Sequence, residues 1–486
     1  MDNRKISIKG VNWFGLENPQ YALHGLWSVN MEGVLDMLKR EGFNALRVPF
    51  SLELSLGLDT LKCTSINLSA NPTMKDFTAG QMLDKLCEEC ERRGILIMPD
   101  LHRLTGDGII TEWIYNAEFG EKEVLQGWLN IVRRCKRFPN VFAMDIKNEP
   151  HGSARWSDWK AVVQVIGNAI LAENPKVLIV AEGVEVSNDG EGSWWGGNLK
   201  DVAHDPIVLD TPNKLVYSPH VYGPDVFDQP YFAHAAFPEN LPEMWDRHFG
   251  YISKTRAGAI LIGEWGGHAV PGSKDHVWQT RIAQYIRENA MDQFYWCVNP
   301  NSGDTGGILQ EDWKTVHRHK LDIIHLASPN PTAVDFGAPL PPLPPLPPLP
   351  PQAPPAPPAP VYVPHPPPPA PMPPAPMPPA PQSLPGSIEL DVKEVSIWKD
   401  NGTEEYRRQY VVNIINTGSA PQKNVAILVD SDGIEQIWNM KETAEKGRYV
   451  LPAWLTESYS VGIPANGGAH NFGFICKGKA AAVRIA

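Results

Sequence analysis

The sequence lacks the features that mark membrane proteins, nucleic-acid-binding proteins and disulfide-rich domains. It has no run of about 18 apolar residues, so we predict no segment that spans a membrane. Basic residues are the minority, 43 Lys and Arg against 55 Asp and Glu, and they form no clusters, which argues against nucleic-acid binding. Six cysteines in 486 residues make no disulfide framework. Residues 1–9 contain no apolar core, so we predict no signal peptide in this chain.

Signals for a cofactor or a metal ion are also missing. Cys87 and Cys90 form a CxxC pair in a helix-like stretch without a second pair or a His cluster, which favours buried thiols over a metal site. No Asp/His trio has metal-ligand spacing, and no lysine closes a predicted strand, where it could form a Schiff base. We therefore predict no cofactor and no metal.

Proline is abundant but very unevenly distributed. Residues 339–385 hold 27 of the 48 prolines and no Asp, Glu, Lys or Arg. Such a segment cannot build a core and favours an extended polyproline II spacer. PxxP motifs also bind SH3-type domains, but those ligands usually carry a flanking Arg or Lys, so we favour the spacer. We predict a first domain over 1–330, a linker over 331–386 and a second domain over 387–486.

Eight short apolar runs recur in the first domain, and most are separated by segments with helical spacing. The runs are 6–13, 43–50, 95–102, 141–150, 177–183, 215–222, 259–266 and 292–299. Near-continuous apolar runs of this length are typical of parallel strands that are buried on both faces. Eight strand-then-helix units predict a (β/α)8 TIM barrel, an α/β fold. The alternative, a doubly wound open sheet, would normally show a Gly-rich phosphate loop after the first strand, and none is present.

Active sites of such barrels lie at the C-terminal ends of the strands. The residues that close the eight runs are Asn12, Trp13, Arg47, His102, Asn148, Glu149, Glu182, His220, Tyr222, Glu264, Trp265, Trp296 and Asn299. Carboxylates, imidazoles and indoles together suit acid/base and nucleophilic chemistry on a ligand that stacks on aromatic rings, which describes a sugar polymer. The candidate pair is Glu149 in Asn-Glu-Pro and Glu264 in Gly-Glu-Trp-Gly-Gly. Glycoside cleavage needs one protonated and one ionised carboxyl group.

The motifs at these strand ends resemble those of glycoside hydrolase family 5, the retaining β-glycanases, over residues 1–328. They are Gly10-Val-Asn-Trp-Phe-Gly, Leu46-Arg-Val-Pro-Phe, Asp100-Leu-His-Arg, Asn148-Glu-Pro-His, Ser218-Pro-His-Val-Tyr-Gly, Ile262-Gly-Glu-Trp-Gly-Gly and Trp296-Cys-Val-Asn-Pro-Asn-Ser-Gly-Asp-Thr-Gly-Gly. The last motif most resembles the endo-β-1,4-glucanase branch. The resemblance implies that Glu149 is the acid/base and Glu264 the nucleophile. Retention predicts carboxyl groups about 5–5.5 Å apart, against about 6.5–9.5 Å in an inverting pair.

The same resemblance implies supporting roles for five further residues. Arg47 and Tyr222 would orient Glu264 and keep it ionised. Asn148 would hold the sugar 2-hydroxyl, His220 would tune the proton of Glu149, and His102 would bind sugar at the cleavage subsite. A purely structural role stays open for Arg47, His102 and His220.

Several tryptophans are candidate platforms, because the faces of pyranose rings stack on indole. We predict Trp296 as the floor under the sugar on the non-reducing side of the cut. The other candidates are Trp27, Trp194, Trp195 and Trp265. Asp304 in Ser-Gly-Asp-Thr-Gly-Gly is a candidate ligand of a sugar hydroxyl. For each tryptophan, burial in the core is the alternative.

The last hundred residues alternate strand-like runs with turn signals, which predicts a β-sandwich. The segment resembles a family 49 carbohydrate-binding module of the cellulose-binding kind, through Trp398-Lys-Asp-Asn-Gly, Val411-Val-Asn-Ile-Ile-Asn-Thr-Gly, Leu451-Pro-Ala-Trp and Asn471-Phe-Gly-Phe. Its candidate platforms are Trp398, Trp438 and Trp454.

Together these resemblances predict a secreted, monomeric endo-β-1,4-glucanase whose partner is a β-glucan such as cellulose. Its extracellular location is implied by the resemblance alone. Within the enzyme class, a β-mannanase or a mixed-linkage or xyloglucan glucanase remains the alternative. From another class, the alternative is a non-catalytic cell-wall-binding protein.

Overall fold

The structure is a computed structural model that describes residues 6–336, 388–399, 406–431, 433–438, 440–443, 445–451, 463 and 468–486. The chain divides into two compact units, one on each side of the proline-rich segment. The predicted linker lies outside the described residues, apart from its first six positions.

The first unit is a closed barrel of eight parallel strands. The strands are β1 Lys9–Asn12, β2 Ala45–Ser51, β3 Leu96–Arg103, β4 Ala143–Asp145, β5 Leu178–Ala181, β6 Leu215–Tyr217, β7 Ala259–Ile262 and β8 Asp292–Tyr295. They pair in chain order, and β1 closes the barrel against β8. Each strand coincides with one of the eight apolar runs, so the (β/α)8 prediction is confirmed.

Helices with one apolar face cover the outside of the barrel. The α-helices are α1 Met31–Arg40, α2 Leu52–Leu56, α3 Ala79–Arg92, α4 Glu121–Cys135, α5 Trp156–Glu173, α6 Leu241–Trp245, α7 Tyr251–Lys254, α8 Lys274–Glu288 and α9 Arg318–Ala327. Side chains satisfy the free N–H groups at several helix starts, as in the capping box of Thr78 and Gln81 before α3. None of the described helices is long and apolar enough to cross a membrane.

The strand residues alternate between two apolar clusters. Leu46, Ile97 and Met144 pack in the large cluster that the helices cover. Ala45, Leu96, Met98, Ala143 and Val180 form a second cluster, which we assign to the barrel interior. Because side chains of a strand alternate in direction, every second residue faces the interior, and the interior positions near the C-terminal ends of the strands are charged. Those positions are Arg47, Asp100, Asp145 and Glu182.

The chain keeps contact with the barrel beyond α9. Thr332 exchanges hydrogen bonds with Ser7, and Val334 and Phe336 pack against the interior cluster. The first positions of the predicted linker therefore belong to the packed barrel unit.

The second unit consists of two antiparallel four-stranded sheets. The first has the order β12 Ile434–Trp438, β15 Gly468–Lys477, β10 Tyr406–Asn416 and β9 Ile388–Lys399. The second has the order β13 Lys441–Glu442, β14 Arg448–Val450, β11 Ala426–Asp430 and β16 Ala482–Ile485. Val412 and Phe474 of the first sheet share one core with Ile427 and Tyr449 of the second, which makes the unit a β-sandwich.

Candidate active site

The C-terminal ends of the barrel strands open into a cleft of about 750 Å³. Most of the residues that the sequence predicts as functional line this cleft. They are His102, Asn148, Glu149, Trp194, Trp195, Tyr222, Glu264, Trp296 and Asp304. Closure of the barrel therefore brings together side chains from strand ends that are far apart in the sequence.

Arg47 lies beneath the cleft and is completely buried. Its guanidinium contacts four carboxylates: Nη1 lies 2.5 Å from Glu264, Nε lies 2.8 Å from Asp145, and Nη2 lies 3.1 Å from both Asp100 and Glu182. A buried cation with this many ionic partners is fixed in one orientation. Arg47 is therefore placed to orient Glu264, as the sequence predicts.

Glu264 is held at both of its oxygens. Arg47 donates to Oε1, and the Tyr222 hydroxyl donates to Oε2 at 2.5 Å. Complete burial raises the pKa of Glu264, while the charges of His220 and Arg47 oppose this rise. The predicted contacts are present, but burial outweighs them, so they do not by themselves guarantee an ionised Glu264.

Glu149 is the second carboxylate in the cleft, and it has a left-handed backbone with φ of 52°. Its Oε1 lies 3.1 Å from His220 Nδ1, and His220 lowers the pKa of Glu149 against the opposing effect of burial. A carboxylate oxygen of Glu149 and one of Glu264 lie within 4.8 Å of each other. The two acids therefore form a coupled pair that titrates as a unit.

Asn148 presents a free donor to the cleft. Its Oδ1 accepts from Arg47 Nη2 at 3.0 Å, which fixes the orientation of the amide. Its Nδ2 is buried and has no hydrogen-bond partner among the described residues. A buried donor of this kind is costly unless a ligand acceptor satisfies it, which fits the role predicted for Asn148 on a sugar hydroxyl.

Trp296 lines one wall of the cleft and is partly exposed. Its ring is nearly parallel to those of Phe14 and His102, with ring centres 5.7 and 5.5 Å away, and its Nε1 donates to Ser302. Asp100 binds His102 Nδ1 at 2.6 Å, and burial holds the pKa of His102 well below its usual range. The ring system is therefore rigid, and the imidazole in it is neutral.

The loop after β5 brings Trp194 and Trp195 to the cleft. Trp195 is 43% exposed and stacks on His151 with ring centres 3.7 Å apart. Trp194 is half-buried and has an edge contact with Tyr222. Asp304 is exposed at the rim of the cleft. All three line the cleft, and their roles in sugar binding stay predictions.

Trp265 does not have the predicted role of a sugar platform. Its indole is completely buried, donates to Gln293 Oε1 at 2.8 Å and packs edge-on against Tyr295. Successive residues of an extended chain face opposite sides, so with Glu264 in the cleft Trp265 faces the helix layer.

Trp27 lies outside the residues that line the cleft. Its ring is 40% exposed and has edge contacts with His24, which does line the cleft, and with Trp313. The structure therefore places it beyond the catalytic region.

Sequence reasoning missed several charged residues beneath the cleft. Asp100, Asp145 and Lys147 are buried there, and Glu182 was recognised only as a strand end. Burial lowers the pKa of Lys147 to about 8, and its ammonium binds the Asn148 carbonyl. The missed signal was the alternation along each strand, which aligns these carboxylates with the interior apolar positions.

Two trios of side chains lie close enough together to hold a cation. They are Asp145, Glu182 and His220, and Glu149, His220 and Glu264. Arg47 already binds three of those four carboxylates, so the protein itself supplies positive charge at this position.

The predicted platforms of the second unit stay predictions. Trp398 lies on β9 and Trp438 on β12, but their side chains, and Trp454 as a whole, are outside the described residues.

A closed (β/α)8 barrel with two coupled carboxylates, an unsatisfied amide and an aromatic wall is the arrangement of a glycoside hydrolase. Comparison with known proteins agrees. Residues 5–302 match the family described as cellulase (glycosyl hydrolase family 5), and residues 388–477 match carbohydrate binding domain CBM49. The chain belongs to glycosyl hydrolase family 5 and carries a carbohydrate-binding module of the CBM49 family.

Named relatives of the barrel are endoglucanases. The endoglucanase of Paenibacillus polymyxa is 44% identical over 330 residues, which cover 66% of this chain and 82% of the relative. The major extracellular endoglucanase of Xanthomonas campestris is 39% identical over 330 residues, 66% of this chain and 67% of the relative. Together with the family match, these relatives identify the chain as an enzyme of the cellulase, or endoglucanase, group.

Solved structures agree with the fold and the group. The catalytic domain of the Xanthomonas campestris endoglucanase superposes with a TM-score of 0.64 at 38% identity, covering 67% of this chain and 96% of that one. The endocellulase of Pyrococcus horikoshii, in a complex with cellotetraose, superposes with a TM-score of 0.64 at 38% identity, covering 66% of this chain and 93% of that one.

Proposed function

We propose that this endoglucanase hydrolyses internal β-1,4 bonds of cellulose and related β-glucans by double displacement, with Glu149 as the acid/base and Glu264 as the nucleophile. In the first step a Glu264 oxygen attacks the anomeric carbon. The bond from that carbon to the leaving oxygen breaks, and Glu149 gives its proton to this oxygen. In the second step Glu149 takes a proton from water, and the resulting hydroxide cleaves the glycosyl ester and releases Glu264.

The observation that carries this mechanism is the separation of the two carboxylates. One oxygen of each lies within 4.8 Å of the other. This short contact favours a retaining pair, with carboxyl groups about 5–5.5 Å apart, over an inverting pair at about 6.5–9.5 Å. Two coupled buried acids favour a state in which the pair shares one proton. The first step needs that proton on Glu149, although the neighbouring groups lower the pKa of Glu149 and burial raises that of Glu264. The proton must therefore be on Glu149 before the leaving oxygen departs.

The remaining cleft residues bind the sugar chain in this proposal. Asn148 Nδ2 donates to the 2-hydroxyl beside the anomeric carbon, and this contact strengthens in the transition state. Trp296 stacks on the sugar before the cut, while His102 contacts the sugar at the cleavage subsite. Trp194, Trp195 and Asp304 bind sugars further along the open cleft. Trp195, Phe227, Asn301 and Asp304 line the cleft and are exposed to solvent, which suits a polymer that extends beyond the cleft.

The second unit serves as an anchor on insoluble glucan in this proposal. A binding module on a tether raises the local concentration of the enzyme at the chain surface without adding catalytic contacts. We further propose that the protein acts outside the cell, because an insoluble wall polymer is accessible only there. We also propose that it acts as a monomer.

The test is reducing-end release from carboxymethyl cellulose, mixed-linkage β-glucan, galactomannan and xyloglucan, measured with wild type and Glu149→Ala. We expect release from carboxymethyl cellulose with a rapid fall in viscosity, and loss of this activity in the variant. Glu89→Gln is the control, because it removes a buried, ion-paired carboxylate of α3 far from the cleft.

Other outcomes would change the assignment. Preferential release from galactomannan or xyloglucan would keep the carboxylate roles and replace the substrate. No release from any polymer would favour a non-catalytic binding protein. Proton NMR of the first products from a soluble oligosaccharide tests the stereochemistry, and an inverted anomer would contradict the double displacement.

A further inference from the structure

We propose that Glu182, at the end of the fifth barrel strand, is a positioning residue that holds Glu149 and His220 in the arrangement needed for proton transfer. This inference rests on the proposed role of Glu149 as the acid/base. Glu182 itself does not line the cleft, and its side chain is completely buried. Its effect on the reaction therefore passes through its neighbours.

The first support is the bond between Glu182 and the backbone of Glu149. Glu182 Oε2 accepts a hydrogen bond from the Glu149 N–H at 2.7 Å. Glu149 has a φ of 52°, in a region that non-glycine residues occupy only when their surroundings hold them there. A carboxylate acceptor on this N–H fixes the backbone turn that aims the Glu149 side chain into the cleft.

The second support is the position of His220 between two carboxylates. Its Nδ1 forms a hydrogen bond with Glu149 Oε1 at 3.1 Å, and its Nε2 lies 3.2 Å from Glu182 Oε1 in an ion-pair contact that lacks hydrogen-bond geometry. Nδ1 also lies 3.6 Å from Glu264. The ring therefore connects the acid/base to Glu182, and its charge responds to the charge of both.

Every strand end around His220 contributes a charged group. These groups are Arg47 from β2, Asp100 from β3, Asp145, Lys147 and Glu149 from β4 and the segment after it, Glu182 from β5 and Glu264 after β7. Burial lowers the pKa of His220, but the carboxylates of Glu182, Glu264 and Glu149 together outweigh it and raise this pKa well above its usual value. Burial raises the pKa of Glu182 to about 8, although His220 and Arg47 oppose this rise. Glu182 and His220 are thus a coupled pair that holds a proton next to Glu149.

The third support is the fit of the loop that carries Trp194 and Trp195. Gly196 has a φ of 68°, and a Cβ at this position would lie 2.2 Å from Glu182 Oε2. Gly196 also donates from its N–H to Pro150 O, next to Glu149. The loop thus passes directly over the carboxylate and shields it from water.

A purely structural role is the competing explanation, because Glu182 also neutralises Arg47 at 3.1 Å. The two explanations differ in their kinetics. Substitution of a residue that positions the acid slows only the cleavage of bonds whose leaving group needs a proton. A structural residue affects all substrates alike.

The experiment compares Glu182→Gln with wild type on two aryl β-cellobiosides. The 2,4-dinitrophenyl glycoside departs without a proton, while the 4-methoxyphenyl glycoside needs one. Glutamine keeps an oxygen acceptor for the Glu149 N–H but puts an NH2 donor in place of the oxygen that faces His220 Nε2 and Arg47. For the 4-methoxyphenyl substrate we expect kcat/KM to fall about tenfold or more, which is less than the full contribution of a general acid. For the dinitrophenyl substrate we expect kcat/KM to fall less than about threefold, because its leaving group needs no proton.

The pH profile is the second readout. As the pH rises through about 8, Glu182 ionises and raises the proton affinity of His220 and Glu149, and glutamine cannot supply this effect. The alkaline limb of kcat/KM for the 4-methoxyphenyl substrate should therefore move to lower pH in Glu182→Gln. Equal losses on both substrates with an unshifted profile would overturn the inference in favour of a structural role. Full activity of the variant on both substrates would also overturn it.

Two further variants separate the possible failures. Glu149→Ala should lose the 4-methoxyphenyl activity and retain turnover of the dinitrophenyl substrate, with acceleration by azide. If it does not, the proposed function fails. If Glu149→Ala behaves as an acid/base variant and Glu182→Gln does not follow its pattern, only the present inference fails. Glu89→Gln, with circular dichroism of each variant, controls for loss of a buried carboxylate.

Discussion

The residues beneath the cleft include more carboxylates than cations. Arg47 is surrounded by Asp100, Asp145, Glu182 and Glu264 within 3.1 Å. Burial of a carboxylate favours its neutral form, and one guanidinium cannot fully compensate four of them. Some of these four carboxylates therefore stay protonated at pH values where exposed carboxylates are ionised.

This retention of protons predicts a pH-dependent stability for the barrel. Burial raises the pKa of Asp145 to about 6, above the value of about 3.9 expected in the unfolded chain. The stabilising contribution of the protonated group is complete below about pH 4 and is lost as the pH rises through 6. Asp145→Asn cannot ionise, so the melting temperature of the variant relative to wild type should rise between pH 4 and pH 7. Calorimetry at several pH values tests this, and a constant difference would contradict it.

Two tryptophans that the sequence treats alike should respond differently to substitution. Trp296→Ala removes a ring that lines the cleft, so we expect KM for cellulose oligosaccharides to rise about tenfold, equivalent to about 1.4 kcal/mol of binding. Trp265→Ala removes a buried ring and should destabilise the barrel by about 3–5 kcal/mol. Thermal unfolding and Michaelis kinetics of both variants check this. A larger KM effect from Trp265→Ala in a folded enzyme would contradict the assignment.

At the scale of elements, the loop after β5 joins the catalytic layer to the rim of the cleft. The Gly183 N–H bonds to Gly196 O at 2.8 Å, and the two residues bracket the segment that carries Trp194 and Trp195. Gly196 packs on the Glu182 carboxylate without room for a side chain. The positions of the exposed indoles and of the buried acid therefore depend on each other.

A pair of glycine variants tests this dependence. Gly190 and Gly196 both have left-handed backbones, with φ of 88° and 68°, so an added Cβ strains each in a similar way. At Gly190 the Cβ would have no atom within 4 Å, but at Gly196 it would clash with Glu182. We expect Gly196→Ala to reduce kcat about tenfold or more, because a small displacement of catalytic groups slows other enzymes by a comparable factor. Gly190→Ala should leave kcat within about twofold of wild type. Equal effects of both variants would indicate that backbone strain alone matters.

At the scale of the whole molecule, the two units have separate cores, and we propose that one carries catalysis and the other anchoring. We predict that Glu264→Ala abolishes turnover, with a loss of at least about 10⁴-fold, and leaves binding to insoluble cellulose unchanged. Sedimentation of the full chain with cellulose measures the binding. Loss of binding together with turnover would show that the two functions are not separate.

Removal of the second unit tests the same division from the other side. A chain that ends after Phe336 keeps the segment that packs on the barrel. It should retain wild-type kcat/KM on soluble carboxymethyl cellulose and lose activity on insoluble cellulose, because the anchoring contribution is lost. A comparable loss on both substrates would contradict a purely anchoring module.

The sequence predicted most of the barrel because its signals are local. An apolar run followed by an amphipathic helix is readable without tertiary contacts, and eight such runs specify one closed sheet, although the described residues between β5 and β6 include no α-helix. The ends of these runs then identified Arg47, Glu149, His220 and Glu264 as neighbours. In the second unit the sequence predicts strands over 388–398, 408–417, 423–431, 457–463, 470–476 and 481–486. These runs miss β12 Ile434–Trp438, β13 Lys441–Glu442 and β14 Arg448–Val450, which are only two to five residues long.

The sequence by itself therefore determined the eight-stranded architecture and the identity of the two candidate acids. Only the tertiary structure decided which side of each strand faces the cleft and how the charges pair. It buries Trp265 although Glu264 beside it is in the cleft, and it places Glu182 against the backbone of Glu149. The physical reason is that composition and periodicity fix which residues avoid water, whereas the direction of a side chain and the pKa of a buried acid depend on partners from distant strands.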